Sequence, residues 1–262
     1  MSSGEQNYLR DVQYRFPDRL KSRSILHTRY GRGDWFEWLA DNIPLRLKSV
    51  VADVGCGSGS FWTNAPARVP AELSLKLYDL SEGMVEAARS SIASLERWHD
   101  VEAQVADAVN IPLADDTADT TIAVHMLYHL AEPATGLREM ARITRAGGSI
   151  AIVLNPAGTM RELSALVDNA LDRRRRSEHQ PLSSEQARTL MDDMFTHVDL
   201  VRYEDELRVT DPVDLLGYLT SLPAAEAPGA TEKLAVEVEH AFTKNGGTFR
   251  ITKTSDLLIA RL

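Results

Sequence analysis

The sequence predicts an α/β fold organised around a doubly wound, largely parallel sheet. Two observations carry that expectation. Apolar runs of strand length alternate with helical segments between residues 49 and 154, and a glycine turn follows the first run. A third concerns size: 262 residues, 44% hydrophobic and 26% charged, suit one globular domain, with no internal repeat or long low-complexity linker to divide it.

The elements follow in order. Residues 7–46 read as helical, broken at Pro17 and at Gly31–Gly33, and hold Tyr8, Tyr14, Phe16, Tyr30, Trp35, Phe36 and Trp38. So dense an aromatic group implies packing against something. SVVADV (49–54) reads as a strand, 59–68 as the helix after the glycine turn, and LSLKLYD (73–79) as a second strand. Ser81 is a natural N-cap for a helix running towards residue 95, with Glu82 in its first turn. VEAQVAD (101–107) and TTIAVH (120–125) are further strands. The amphipathic helix 132–145 stops before Gly147–Gly148, and SIAIVL (149–154) follows as a strand. Strict alternation then ends. Helices near 159–176 and 183–194 precede a long strand around 197–209, Pro212 opens another helix, and a further helix spans 230–244 before a closing strand near 254–261.

Composition narrows the function. A net charge of −9 argues against tracking nucleic-acid phosphates, which needs a basic footprint. The single cysteine, Cys56, cannot form an internal disulfide, and no apolar run approaches membrane-spanning length. These features lead to the expectation of a soluble, cytoplasmic protein without a membrane or nucleic-acid partner. The run RRRR at 173–176 could bind an anionic substrate or nucleic acid, but it ends a predicted helix, where basic residues suit the macrodipole and usually face solvent, and the solvated face is the preferred reading.

The stretch VADVGCGSGSFW (51–62) is the chemical centre of the chain. A strand ending in a glycine turn lets backbone approach a ligand closely, and the N–H groups of a following helix face the same ligand. The dinucleotide fingerprint needs its third glycine at position 60, but that residue is Ser60 and the glycine is Gly59. No Gly-Lys-Ser/Thr follows, which removes a P-loop. Asp79 closes the second strand, where a carboxylate can accept hydrogen bonds from both hydroxyls of a ribose. NAD enzymes use an acid in the same way, so Asp79 alone does not separate the candidates. Asp107 closes the third strand and precedes an Ile111–Pro112 turn.

DVGCGSG (53–59), YDLSEGM (78–84), ADAVNIPL (106–113), DTTIAVHMLYHL (119–130) and LREMARITRAGGSIAIV (137–153) occur in one order and spacing. Together they make the chain resemble the class I S-adenosylmethionine-dependent methyltransferases, in the branch with small-molecule and quinone methyltransferases (type 11-like). The resemblance implies a Rossmann-like, seven-stranded sheet with its last strand antiparallel. It also implies an N-terminal helical lid (1–47), a cofactor-binding core (48–155) and a C-terminal half with a helical acceptor-pocket insert (156–262). S-adenosylmethionine is the implied cofactor and S-adenosylhomocysteine the product. Asp53, Gly55, Cys56, Gly57 and Gly59 form the implied cofactor turn, the glycines passing the methionine and ribose parts. Asp79 would hold the ribose diol, and Leu80 and Met84 would line the adenine. Asp107 would accept from the adenine amino group while Ala108 donates from its backbone, and His125 would sit beside the methionine portion. Tyr14 and Tyr30 would reach the site from the lid. Cys56 falls where this family often has cysteine and reads as packing rather than as a nucleophile.

Methyl transfer is a direct displacement, so alignment is the main catalytic task. By the same resemblance His129 is the candidate general base; the alternative is a histidine that shapes the pocket. His125 and His129 have chelating spacing, but Met126 stands where the zincin pattern needs Glu, so no metal is expected. Two other functions compete. An NAD-dependent oxidoreductase is disfavoured by Ser60 and by the lack of a Tyr-x-x-x-Lys pair. A non-catalytic partner or sensor of the same fold stays open, because fold does not fix function.

Overall fold

The computed structural model describes residues 25–172 and 181–262. Helical residues 25–30 lead to α1 (Trp35–Asn42), β1 (Val50–Val54), α2 (Ser60–Asn64), β2 (Ser74–Asp79), α3 (Glu82–Ala93) and β3 (Asp100–Val105). Then come β4 (Ala118–Val124), α4 (Pro133–Ile143), β5 (Thr144–Leu154), α5 (Arg161–Ala170) and α6 (Ser184–Asp192). The chain closes with β6 (Val198–Val209), α7 (Pro212–Thr220), α8 (Ala230–Lys244) and β7 (Phe249–Arg261). The seven strands form one sheet in the order β3-β2-β1-β4-β5-β7-β6. β1 to β5 run parallel, and β7 lies antiparallel between β5 and β6, as the resemblance implies. The chain winds outward from β1 to β3 and restarts at β4, which makes a switch point between β1 and β4.

Alternation along the strands builds a core on each face. Ile150, Ile152 and Leu154 of β5 meet Leu137 and Met140 of α4 and Met191 of α6. Ala151 and Val153 point the other way, toward Leu39 of α1, Phe61 and Trp62 of α2 and Ile92 of α3. A third cluster lies beyond the C-terminal edge of the sheet. β5 stops pairing with β7 at Leu154↔Asp256, yet β6 and β7 continue as a two-stranded ribbon out to Val209↔Phe249. Leu207, Val209 and Ile251 of that ribbon pack against Leu166 of α5, Leu215 of α7 and Leu234 of α8. The helical insert therefore grips the ribbon and overhangs the edge where a ligand enters an open α/β sheet.

Several boundaries differ from the sequence expectation. The helix after the glycine turn ends at Asn64 rather than at residue 68. Pro66 cannot supply an N–H to prolong it. β3 ends at Val105, so Asp107 lies past the strand in a turn that Asn110 closes by donating to its carbonyl at 2.9 Å. β5 begins at Thr144 because the Gly147–Gly148 step is absorbed by a register shift against β4. The helix expected at 159–176 is seen as Arg161–Ala170, and 173–176 lies outside the described residues. β7 starts at Phe249 because the ribbon with β6 extends it. Among the described residues no helix is long and apolar enough to cross a membrane.

The ribbon is anchored where it leaves the sheet. Asp256, fully buried, accepts from Arg202 Nε at 2.7 Å, Arg202 Nη2 at 2.9 Å and Ser184 Oγ at 2.6 Å. Arg202 keeps 42% of its side chain exposed, so losing its partner would not strand a buried cation. Asp256→Ala should lower the free energy of unfolding by about 2 kcal/mol, below the full cost of breaking a buried pair. Urea denaturation followed by tryptophan fluorescence reads this directly. A change under about 0.5 kcal/mol would mean that the ribbon holds without its anchor.

Candidate functional site

The glycine turn at the switch point is fixed by backbone and one carboxylate. Gly55 N and Cys56 N both donate to Tyr78 O, at 2.7 and 3.0 Å, tying the turn to the end of β2. Gly55, Gly57 and Gly59 all have positive φ, at 72°, 55° and 75°. The three glycines serve different ends. A Cβ on Gly55 would lie 2.6 Å from Met126 Cβ, and one on Gly59 would lie 2.7 Å from Ile92 Cδ1. A Cβ on Gly57 would meet nothing within 4 Å. Gly55 and Gly59 thus allow the turn to pack against the protein, whereas Gly57 faces open space among the described residues.

Asp79 holds the turn. Its Oδ2 accepts from Gly57 N and its Oδ1 from Ser81 N, each at 2.9 Å. Burial pushes its carboxyl up while the backbone N–H groups oppose that shift. A carboxylate has about four acceptor directions, so both oxygens can still accept from a bound diol. Ser81, as the sequence suggests, caps α3 by accepting from Met84 N at 3.4 Å. Leu80 is 45% exposed beside Asp79, whereas Met84 is buried beneath it. Asp107 is exposed and accepts from Val109 N at 3.1 Å, next to half-buried Ala108. The turn after it is braced from α4. Glu139 Oε1 accepts from Ile111 N at 2.7 Å, and Arg142 Nη2 donates to Ile111 O at 2.9 Å.

Asp53 and Cys56 point into the protein. Trp62 Nε1 donates to Asp53 Oδ2 at 2.8 Å, and Oδ1 finds no partner among the described residues. Burial raises the Cys56 thiol, and the nearby Asp53 and Asp79 raise it further, so it stays protonated and unreactive.

His125 adopts a positive φ of 53°, and its N–H donates to Val153 O at 2.9 Å. That backbone turn carries the imidazole onto Trp35, with ring centroids 5.6 Å apart and planes 21° from parallel. Lys253 Nζ stands 5.9 Å from the Trp35 ring centroid and 5.5 Å from that of Tyr203. Burial, with Lys253 nearby, lowers His125 to about 4. Burial alone lowers His129 to about 4. His129 sits on the 3₁₀ turn Leu127–His129, its ring edge-on to Tyr128 at 4.4 Å. Both imidazoles are therefore neutral at neutral pH. No group of three His, Cys, Asp or Glu with metal-holding geometry occurs among the described residues.

The N-terminal residues divide. Tyr14 lies outside the described residues. Tyr30 Oη donates to Asp214 Oδ2 at 2.7 Å and packs with the third cluster, so the structure ties it to α7 and the insert. Burial and Asp214 push its hydroxyl up to about 12. Trp35, Tyr203 and Lys253 were not singled out as site residues by the sequence. Aromatic density pointed to the first, but nothing in the closing strand marked Lys253.

Residues 52–152 match a family model described as a methyltransferase domain. The ubiquinone/menaquinone biosynthesis C-methyltransferase UbiE of Geotalea daltonii is 28% identical over 119 residues, 45% of this chain and 51% of that protein. Methyltransferase GfsG of Streptomyces halstedii is 30% identical over 132 residues, 50% of this chain and 47% of that protein. The chain thus spans about half the length of these curated relatives. A solved structure named as a SAM-dependent methyltransferase, from Thermotoga maritima, superposes with a TM-score of 0.56 at 16% identity. That match covers 95% of this chain and 98% of the other, a likeness of fold.

The Asp53–Trp62 pair has a measurable signature. Burial pushes the Asp53 carboxyl from 3.8 up to about 7; the Trp62 hydrogen bond opposes this and Asp79 adds to it. The folded state then holds this proton more tightly than the unfolded chain. Its stabilising contribution is complete below the ordinary carboxylate range and is lost as pH rises through about 7. Asp53→Asn keeps an acceptor for Trp62 and cannot ionise. Its stability relative to wild type should rise between pH 4 and pH 8, as read by urea denaturation of both proteins at each pH. Parallel profiles would place the ionised carboxylate in a better-solvated setting.

Proposed function

We propose that the chain is a methyltransferase using S-adenosylmethionine, a reading supported by the match of residues 52–152 to a methyltransferase-domain family model. The acceptor in this reading is a small organic molecule of specialised metabolism, methylated on an O, N or C atom in the cytoplasm. The observation that carries the reading is the open side of Gly57 next to the carboxylate of Asp79. A close backbone approach with a diol acceptor beside it fits an adenosine-bearing ligand.

The residues present fit that cofactor. Asp79 would hold the ribose hydroxyls, Gly55, Gly57 and Gly59 would follow the ribose and methionine parts, and Leu80 and Met84 would line the adenine. Asp107 and Ala108 would meet the adenine edge, and His125 the methionine portion. Asp53 and Cys56 would act by holding the turn from behind. When bound, the sulfonium supplies an electrophilic methyl group. The chain's own task is then to align the acceptor and exclude water. Residues 1–47 would form the lid and 156–262 the part that frames the acceptor, around a cofactor core at 48–155. An NAD-dependent oxidoreductase has no comparable support.

Calorimetry should give micromolar binding of S-adenosylhomocysteine and no comparable binding of NADH; the reverse result would sink the methyltransferase reading. Asp79→Ala should weaken S-adenosylhomocysteine by roughly 1–3 kcal/mol, the cost of removing a charged hydrogen-bond partner. An unchanged affinity in the folded variant would put the ribose elsewhere.

His129 is the proposed general base. An imidazole lowered to about 4 is unprotonated across the physiological range, the form in which a base acts. His129→Ala should reduce turnover about 10²–10⁴-fold with S-adenosylhomocysteine affinity unchanged. Wild-type turnover should hold level on acidification and fall only as pH drops through about 4. Near-normal turnover in the variant would mean catalysis by alignment alone.

A further inference from the structure

We propose that Lys253 forms, with Trp35, a subsite for an anionic oxygen on the acceptor, so that the acceptor is an aromatic carboxylate or phenolate. This inference rests on the methyltransferase reading for the word acceptor, but its physical basis is independent of the glycine turn. Lys253 begins from an unusual position. It lies on the ribbon that overhangs the sheet, half-buried, with its ammonium facing the rings of Trp35 and Tyr203. It forms no ion pair among the described residues. Its cross-strand partner is Asp205, in register on β6. That carboxylate is already occupied by Arg32 N at 3.0 Å, Glu206 N at 2.8 Å and Tyr203 Oη at 3.3 Å. Asp34 also lies within electrostatic range, but its Oδ1 caps α1 by accepting from Phe36 N and Glu37 N.

Trp35 Nε1, a donor, is buried with no hydrogen-bond partner among the described residues, and the His27 ring nitrogen Nδ1 likewise has none among them. A buried donor without an acceptor is costly, and a half-buried ammonium that faces two rings and forms no ion pair among the described residues is incompletely compensated. In a chain of net charge −9, such a cation with no ion pair among the described residues is not a generic surface feature. One entering anion would compensate it.

Contacts connect this group to the cofactor turn. Gly55 abuts Met126, the neighbouring His125 stacks on Trp35, and Trp35 carries Lys253 on its other contacts. An anion held at Lys253 would sit against the rings of Trp35 and Tyr203, which give aromatic walls for an aryl group. Lysine, as a point charge on a long stem, suits an anion whose orientation is set by those walls rather than by a bidentate fork.

The test is calorimetry on the full chain, with and without S-adenosylhomocysteine, using two matched pairs of probes. Benzoate is compared with benzamide, and 4-nitrophenolate with 4-nitroanisole. Wild type should bind at least one anion about tenfold or more tighter than its neutral partner. Lys253→Met should abolish that preference while leaving the neutral probes and S-adenosylhomocysteine unchanged. Lys253→Gln serves as a second variant should the first fail to fold. A preference within the first pair alone assigns a carboxylate, and within the second alone a phenolate. Equal binding of anion and neutral analogue, a preference retained in both variants, or no binding of either anion would overturn the subsite. Failure of S-adenosylhomocysteine to bind would sink the methyltransferase reading separately, because the probe preference is read in its absence as well.

Discussion

The bond from the Gly57 amide to the Asp79 carboxylate organises the molecule. It joins the turn after β1 to the end of β2, while the Tyr78 carbonyl takes the two amides before it. Its position follows from topology. β1 and β2 are parallel neighbours, so their carboxyl ends finish side by side, and an acid closing one meets the turn closing the other. With the turn fixed at both ends, Gly55 and Gly59 can pack hard against Met126 and Ile92, and Gly57 is left facing outward. Backbone shape at the ligand side is thus set before any ligand arrives.

The second structural decision is the length of β6 and β7. Strands that stopped with β5 would leave the carboxyl edge bare. By running on as a ribbon gripped by α5, α7 and α8, they put Tyr203 and Lys253 above that edge. The N-terminal segment closes onto the same structure through Tyr30 and Arg29 at Asp214 and through Arg32 at Glu206. The last two ion pairs are exposed and contribute little to stability individually. Trp35 and Trp38 add ring contacts, with Trp38 5.2 Å from Tyr203. The result is an enclosure assembled from three distant parts of the chain.

Enclosure also sets the electrostatics. His27, His125 and His129 are all lowered, to between about 3 and about 4, and burial is the leading cause in each. Lys253 adds to the shift at His27 and His125, and its own ammonium is lowered by burial against the opposing pull of Asp205 and Asp34. His27 and His125 are therefore neutral imidazoles within electrostatic range of Lys253. Neutral histidines can accept protons, and the lysine is the group left to answer a negative charge.

Much of this was legible in the sequence. The alternation of strands and helices, the glycine turn, Asp79 at a strand end and Ser81 as a cap are local patterns whose geometry is nearly fixed by residue type and spacing. The helix at 230–244 and the antiparallel last strand also agree with the sequence reading. Boundaries slipped where a local rule met tertiary pairing: Gly147–Gly148 reads as a break but is carried inside β5 by a register shift, with β4 pairing on either side of it at Thr144 and Ser149. The sequence by itself determined the fold class and the residues of the glycine turn, since those depend on short-range backbone preferences. Only the tertiary structure decided that Asp53 faces Trp62, that Tyr30 belongs to Asp214, and that Trp35, His125 and Lys253 share one cluster. Apart from Asp53–Trp62, those contacts join residues far apart in the chain, and which side chains meet there follows from sheet order and strand length, which no local pattern encodes.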